Sequence, residues 1–380
     1  MILWIVIIIS TVFQTTLNTT RPIITLYASE MGANTFDIGI LTAAFAFFPL
    51  IFAIYAGRVA DKVGDRLPVF LGLIGISIGM ILPYSFPSLI SLFISQLIVG
   101  TAAVFITVSL QNILGNIATE DKRDQYYSLW GIATALGAVI GPIFGGYLGE
   151  HISYSSVFFA SICLTVIPIF MTLFIPVLRR RQPKQKMKIA ASVGLLKMPL
   201  LRKALISSAL VLYSKDIFIA YFPLFAKQYG ISTSTIGWII SIQGLAMIVV
   251  RVFLPLLAEK LGRDYVLMAS VFMAGISFLL VPFTGNVIIL GILSALMGLG
   301  LGCGQPLSMT TTYNASPKSR TGEVLGLRLA SNRLSQLIAP VFFGVVGSWA
   351  GIFSVFFISG TFLLGGLFAI KPEKKNKLAS

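Results

Sequence analysis

Twelve runs of mostly apolar residues follow one another through this chain, near 2–27, 36–56, 68–86, 88–116, 125–148, 154–178, 202–226, 234–256, 266–282, 286–313, 323–347 and 353–370. A helix needs about 20 such residues to span the hydrocarbon core, and in lipid every backbone polar group must be satisfied internally. A chain built this way is an integral membrane protein. The runs are continuously apolar and do not alternate at every second residue, which excludes a β-barrel and leaves an all-α fold of 12 transmembrane helices. Composition agrees, since 56% of the 380 residues are hydrophobic and 11% are charged, where a soluble domain carries about 25% charged residues. The first run has no basic n-region and no small-residue cleavage site before Arg21, so it reads as helix 1 and not as a signal peptide.

Lys and Arg concentrate on the cytoplasmic side of membrane proteins. With the N-terminus inside, the cytoplasmic segments hold 22 of the 28 basic residues, nine of them in 179–203 and four in the tail, and the outer loops hold only Lys227. Both termini are therefore expected to be cytoplasmic. The formal charge of +15 is an orientation signal, drawn further to the anionic inner leaflet, and does not point to nucleic acid. The expected organisation is a six-helix bundle over 1–178, a basic linker over 179–201 that opens RRRQPKQKMK, a second six-helix bundle over 202–370, and a cytoplasmic tail over 371–380. Cys163 and Cys303 both fall inside spans, so neither a disulfide framework nor a metal site is suggested.

The halves are copies of each other. A shift of 198 residues lays Gly32 on Gly230, Gly39 on Gly237, Asp61 on Glu259, Gly64 on Gly262, Gly100 on Gly298, Pro142 on Pro340 and Gly146 on Gly344, with one register and no gap. The same shift lays SVFF at 156–159 on SVFF at 354–357. Six plus six helices in parallel repeat is a transporter architecture, with substrate bound near the midplane between the halves.

Two motifs sharpen this. GRVADKVGDR at 57–66 returns as PLLAEKLGRD at 255–264, each between two apolar runs. Gly57 permits close helix approach, Gly64 a tight turn, and Asp61 can sit against the positive N-terminal end of a neighbouring helix, with Lys62 and Arg66 beside it and Glu259 and Gly262 as counterparts. Helix 5 carries Gly137, Gly141, Pro142, Gly145 and Gly146 as G-x-x-x-G-P-x-x-G-G, small residues that pack closely around a proline that bends the helix. With these motifs the chain resembles the major facilitator superfamily over essentially its whole length. The resemblance implies that Asp61 latches the cytoplasmic side against helix 11 and, by the repeat, that Glu259 faces the start of helix 5. It also implies that the helix 5 pattern marks exporters more than importers, and that helices 1, 7 and 11 line the cavity. Val59 and Asp65 depart from the loop motif, Ser128 stands where the helix 5 pattern begins with glycine, and Gln96 stands where proton-driven exporters carry an arginine in helix 4.

Ionisable residues deep in a span are costly and usually functional. Asn18 and Arg21 share a face of helix 1, helix 7 carries Lys215 and Asp216, and helix 11 carries Asn332, Arg333 and Gln336. These seven are the expected substrate-binding residues. Lys215 and Asp216 are adjacent and point about 100° apart, so one faces the cavity squarely, and Asp216 is favoured. Asp216 is the one acidic residue placed deep in a span, which makes it the proton-coupling candidate. The alternative is an internal ion pair, with Arg21 or between Lys215 and Asp216, that only fixes packing. Arg251 and Arg328 lie closer to helix ends, where long side chains snorkel to the interface, and read as structural. Phe45, Phe47, Phe48, Tyr213, Phe218, Tyr221 and Trp238 either line the cavity, pack, or face lipid.

The basic residues outweigh one carboxylate, so the cavity leans positive and suits anionic or zwitterionic amphipaths. No catalytic constellation is present: His151, the single histidine, sits at the outer end of helix 5, and there is no G-x-x-x-x-G-K-[ST] loop for ATP. The chain is therefore expected to be a non-enzymatic secondary transporter of the cell membrane, as in the bacterial cytoplasmic membrane, exporting its substrate by proton antiport. Its partners would be a small-molecule substrate, protons and the lipid bilayer, with no cofactor, no nucleic acid and a monomeric state. Uptake or facilitated transport of an anionic nutrient on the same fold, and a non-transporting sensor or scaffold, are the alternatives.

Overall fold

The computed structural model describes residues 2–119, 122–176, 198–315 and 321–370. Most of the expected linker and the tail at 371–380 lie outside the described residues. Twelve long helices account for nearly all of the rest: α1 (Ile2–Glu30), α2 (Thr35–Val63), α3 (Arg66–Ser85), α4 (Leu89–Ile117), α5 (Arg123–His151), α6 (Tyr154–Thr172), α7 (Pro199–Gln228), α8 (Thr233–Leu261), α9 (Arg263–Leu280), α10 (Val287–Ala315), α11 (Thr321–Ala350) and α12 (Ile352–Ile370). Eleven are long and apolar enough to cross a membrane, and the apolar part of α12, Ile352–Phe368, is shorter. No strand occurs among the described residues.

The helix starts at the loop ends opposite the charged hairpins are written into short polar residues. Asn34 and Asp37 exchange side-chain and backbone hydrogen bonds at the start of α2, and Ser232 accepts from the Thr235 amide at the start of α8. These caps are repeat partners, as are Ser88 before α4 and Asn286 before α10. Inside α1, the threonines of the TTLNTT stretch donate back to carbonyls in the preceding turn, Thr15 to Thr11 at 2.8 Å and Thr19 to Thr15 at 2.8 Å. The threonine hydroxyls of this stretch, buried in the bundle, are thus satisfied by the helix's own backbone.

Two ends differ from the sequence expectation. α6 stops at Thr172 and not near 178, unwinding through short i to i−3 bonds at Leu173, Phe174 and Ile175. Pro176 has no N–H to continue the ladder and disfavours helical geometry at Ile175. α9 ends at Leu280 and tightens into a 3₁₀ turn over Val281–Phe283 for the same reason at Pro282.

Within each half, α1 packs on α5 and α6, α3 on α4 and α6, and α9 on α10 and α12. Two further pairings, α2 with α11 and α5 with α8, join the halves. Both joints use residues that the 198-residue repeat pairs. At the first, Gly39 faces the Pro340 carbonyl and the Cα of Gly344; at the second, Gly237 faces the Pro142 carbonyl and the Cα of Gly146. A Cβ on Gly39 would lie 3.0 Å from Gly344 Cα, and one on Gly146 would lie 2.7 Å from the Thr233 carbonyl oxygen, so backbones meet there as only glycine allows. Tyr221 Oη donates to the Pro340 carbonyl at 2.7 Å beside the first joint, and the Ser234 amide donates to Glu150 at 2.7 Å beyond the second. Both joints lie at the end of the bundle away from the charged hairpins, where the halves are closed on each other.

Candidate functional site

A cavity of about 300 Å³ lies between the halves, running from the middle of the bundle toward the hairpin end. It is bounded by α1 at Gln14, Asn18 and Arg21, by α2 at Phe45, by α5 at Trp130 and by α8 at Met247. Lys215, Arg251 and Arg333 also line it, giving four basic residues with Arg21 and no acidic one among the described residues. Behind it lies a smaller space of about 40 Å³ bounded by Arg21, Phe45, Gln96, Asp216 and Gln336. Arg21 borders both.

Asp216 is held from two helices. Arg21 Nη1 on α1 pairs with Asp216 Oδ1 at 3.2 Å, and Gln336 Nε2 on α11 donates to Asp216 Oδ2 at 2.7 Å. Gln336 Oε1 in turn accepts from Arg333 Nη1 at 2.9 Å, while the buried Arg333 Nε has no hydrogen-bond partner. The Arg21 guanidinium also stands 4.7 Å above the Phe45 ring, a cation–π contact. One carboxylate is thus tied to one half by an arginine and to its own half by an amide. The pair is the salt bridge between α1 and α7 among the described residues.

The expected site residues divide. Asn18, Arg21, Lys215 and Arg333 line the larger cavity, and Asp216 and Gln336 the smaller one. The preference for Asp216 over Lys215 at the main cavity is reversed, because the turn of α7 that brings Asp216 against Arg21 and Gln336 turns Lys215 to the larger space. Asn332 lines neither: its side-chain oxygen accepts from Ser208 at 2.8 Å inside the second half, where Gln305 and Arg328 complete a polar brace. Arg328 is held in this brace by Gln305, where the sequence suggested snorkelling to the interface, and Arg251 lines the cavity with its Nε donating to the Gly302 carbonyl at 3.2 Å. Of the aromatic candidates, Phe45 lines the cavity, Phe218 and Tyr221 are buried, and Trp238 is exposed on the outside of the bundle. Trp130 is a lining residue that the sequence reading did not single out.

The helix 5 glycines form one ridge that lets α5 lie directly on α1. A Cβ on Gly137 would come within 2.6 Å of Gln14 Cβ, and one on Gly141 within 2.7 Å of Asn18 Cβ. The motif thereby sets the depth of the cavity wall at Asn18, while Gly146 and Pro142 form the joint to α8. At the hairpin end, Gly64 and Gly262 take φ of 85° and 84°, the left-handed backbone that a side chain resists. Lys62 and Glu259 are exposed, Arg66 is half-buried, and no atom lies within 4 Å of a Cβ placed on Gly57. The close approach expected at Gly57 is not made by any described neighbour, while the side chains at the start of α5 that Glu259 is expected to face, those of Arg123 and Asp124, lie outside the described residues. The Asp61 side chain lies outside the described residues.

Two six-helix halves, joined by repeat-related seams around a central polar cavity, define a membrane transporter. The Major Facilitator Superfamily pattern matches residues 3–211 and again 204–379, and the chain belongs to that family. It is 25% identical to an uncharacterized MFS-type transporter of Methanocaldococcus jannaschii, covering 90% of each chain. It is 23% identical to the class H tetracycline resistance protein of Pasteurella multocida, covering 85% of this chain and 82% of that one. The multidrug resistance protein MdtG of Escherichia coli is 22% identical over 94% of this chain and 90% of its own. Among solved structures, the nucleoside transporter NupG superimposes with a TM-score of 0.82 at 15% identity, covering 97% and 98% of the two chains. A POT family transporter in complex with 5-aminolevulinic acid superimposes with a TM-score of 0.82 at 15% identity, covering 97% and 95%. At these identities the superpositions speak for the fold alone.

Proposed function

We propose that this transporter exports a small anionic or zwitterionic amphipath across the cell membrane by proton antiport, with alternating access around the central cavity. The observation that carries this reading is the Arg21–Asp216 pair at 3.2 Å, whose arginine borders a cavity where the charged lining residues are all basic. The resistance-protein relatives and the helix 5 motif support export. With the hairpin end cytoplasmic, this conformation is the inward-facing one.

Charge linkage narrows the substrate. A positive group brought to Asp216 competes with a proton there, so such a ligand travels against protons. A negative group brought to Arg21 draws it from Asp216 and favours proton uptake, so such a ligand travels with protons. Antiport therefore suits a zwitterion whose cationic end meets Asp216 and whose anionic end meets the other basic residues. A pure anion suits proton-linked uptake, and the same ion pair keeps that second reading in view.

Inside-out vesicles with an acid interior separate the two. A zwitterionic amphipath exchanged for protons raises the internal pH in wild type and not in Asp216→Asn. An anion that lowers the internal pH as it enters supports the uptake reading instead, and a variant indistinguishable from wild type removes Asp216 from the coupling.

A further inference from the structure

Three of the four basic residues in the larger cavity make no salt bridge among the described residues, and the cluster shares a single carboxylate, Asp216. Arg21 is neutralised by Asp216. Lys215 makes no ion pair or hydrogen bond among the described residues; it stands within electrostatic reach of Asp216, already paired with Arg21, and of both Arg21 and Arg251, so one carboxylate faces four basic groups. Arg333 has its Nη1 on Gln336 and its Nε buried with no partner. Among the described residues, Arg251 is held by one hydrogen bond, to a backbone carbonyl. Uncompensated charge at membrane depth is expensive and is normally matched by a pathway ion or a ligand.

We infer that this cavity holds a doubly charged oxyanion group, a phosphate monoester or phosphonate, between Lys215, Arg251 and Arg333. A monocarboxylate leaves most of the charge of the cluster unmet, whereas a phosphate carries about −1.5 to −2 near neutral pH with three acceptor oxygens on one tetrahedral centre. Two guanidinium groups offer planar pairs of N–H donors to such oxygens, and an ammonium adds a compact point charge. Phe45, Trp130 and Met247 supply an apolar wall for the organic remainder of the molecule. A volume of about 300 Å³ suits one small amphipath, at the low end of ligand pockets. The inference rests on the reading that this cavity is the substrate site and names the anionic end of the ligand; it does not depend on the direction of transport.

The test uses Trp130 as reporter. In full-length protein with Trp4, Trp238 and Trp349 replaced by phenylalanine, Trp130 fluorescence is titrated with four probes sharing one ring: phenyl phosphate, benzoate, benzyl alcohol and benzyltrimethylammonium. Phenyl phosphate is expected to bind about tenfold or more tightly than benzoate, and Lys215→Gln and Arg251→Gln each to weaken it about tenfold. Lys215→Arg, which keeps the charge, is expected to retain most of the affinity and so reports that weakening in the glutamine variant is not misfolding. Benzoate or benzyl alcohol binding as tightly as phenyl phosphate overturns the inference, as do glutamine variants with unchanged affinity. Asp216→Asn is expected to bind phenyl phosphate at least as well as wild type. Phenyl phosphate binding without any proton movement in vesicles leaves this inference standing and sinks the antiport reading. Proton exchange with a phosphate-free zwitterion, and no phenyl phosphate binding, does the reverse.

Discussion

Asp216 is braced from both sides, by Arg21 across the interface between the halves and by Gln336 within its own half. With side chains 26% and 10% exposed, Arg21 and Asp216 form a pair largely withdrawn from solvent. Removing one partner strands the other. Arg21→Leu is therefore expected to cost about 3 kcal/mol, the low end for opening a buried pair. The double variant R21L/D216N is expected to lose less than the sum of the single losses, because neither charge is then left alone. Unfolding free energies in detergent check this, and strictly additive losses contradict it. What the sequence offered at this scale was the set of ionisable residues, not their orientation. Lys215 and Asp216 are neighbours in the chain, and which of them meets the main cavity depends on the rotation of α7 against α1 and α11. That rotation is fixed by packing across the halves. Arg251 was likewise misplaced, because distance from a helix end does not reveal whether the surrounding surface is lipid or cavity.

At the scale of the helices, the repeated glycines and prolines acquire a shared role. Gly39 with Pro340 and Gly344, and Gly237 with Pro142 and Gly146, are points where the backbones of the two halves meet directly. Both seams must part if the cavity is to open at that end, and neither tolerates a side chain. Gly146→Leu forces bulk into a backbone contact and is expected to shift the molecule away from the closed seam. A short thiol cross-linker between cysteines replacing Glu150 and Ser234, which touch at 2.7 Å in the closed form, is expected to react several-fold less in that variant. Unchanged cross-linking would mean that the seam is not a moving part. The spans were legible because twenty apolar residues in a row admit no other fold. Their ends were less so: Pro176 and Pro282 cut α6 and the α-helical part of α9 short of the apolar run.

For the whole molecule, the closed seams at one end and the exposed Lys62 and Glu259 at the other describe one state of a two-state device. The repeat made the two-half architecture readable from the chain, but a sequence encodes every state of a transporter at once and does not say to which of them a given contact belongs. The central claim is that protonation of Asp216 biases the exchange between them. Spin-label pairs spanning the halves test it without knowledge of the substrate, one pair at Lys122 and Arg263 on the hairpin end and one at His151 and Asn286 on the seam end, with Cys163 and Cys303 replaced. Moving from alkaline to acid buffer should shift the two distance distributions in opposite directions in wild type, one end closing as the other opens, and should leave them unmoved in Asp216→Asn. A single pH-independent distance at each end, or a response that survives the loss of Asp216, would contradict the account.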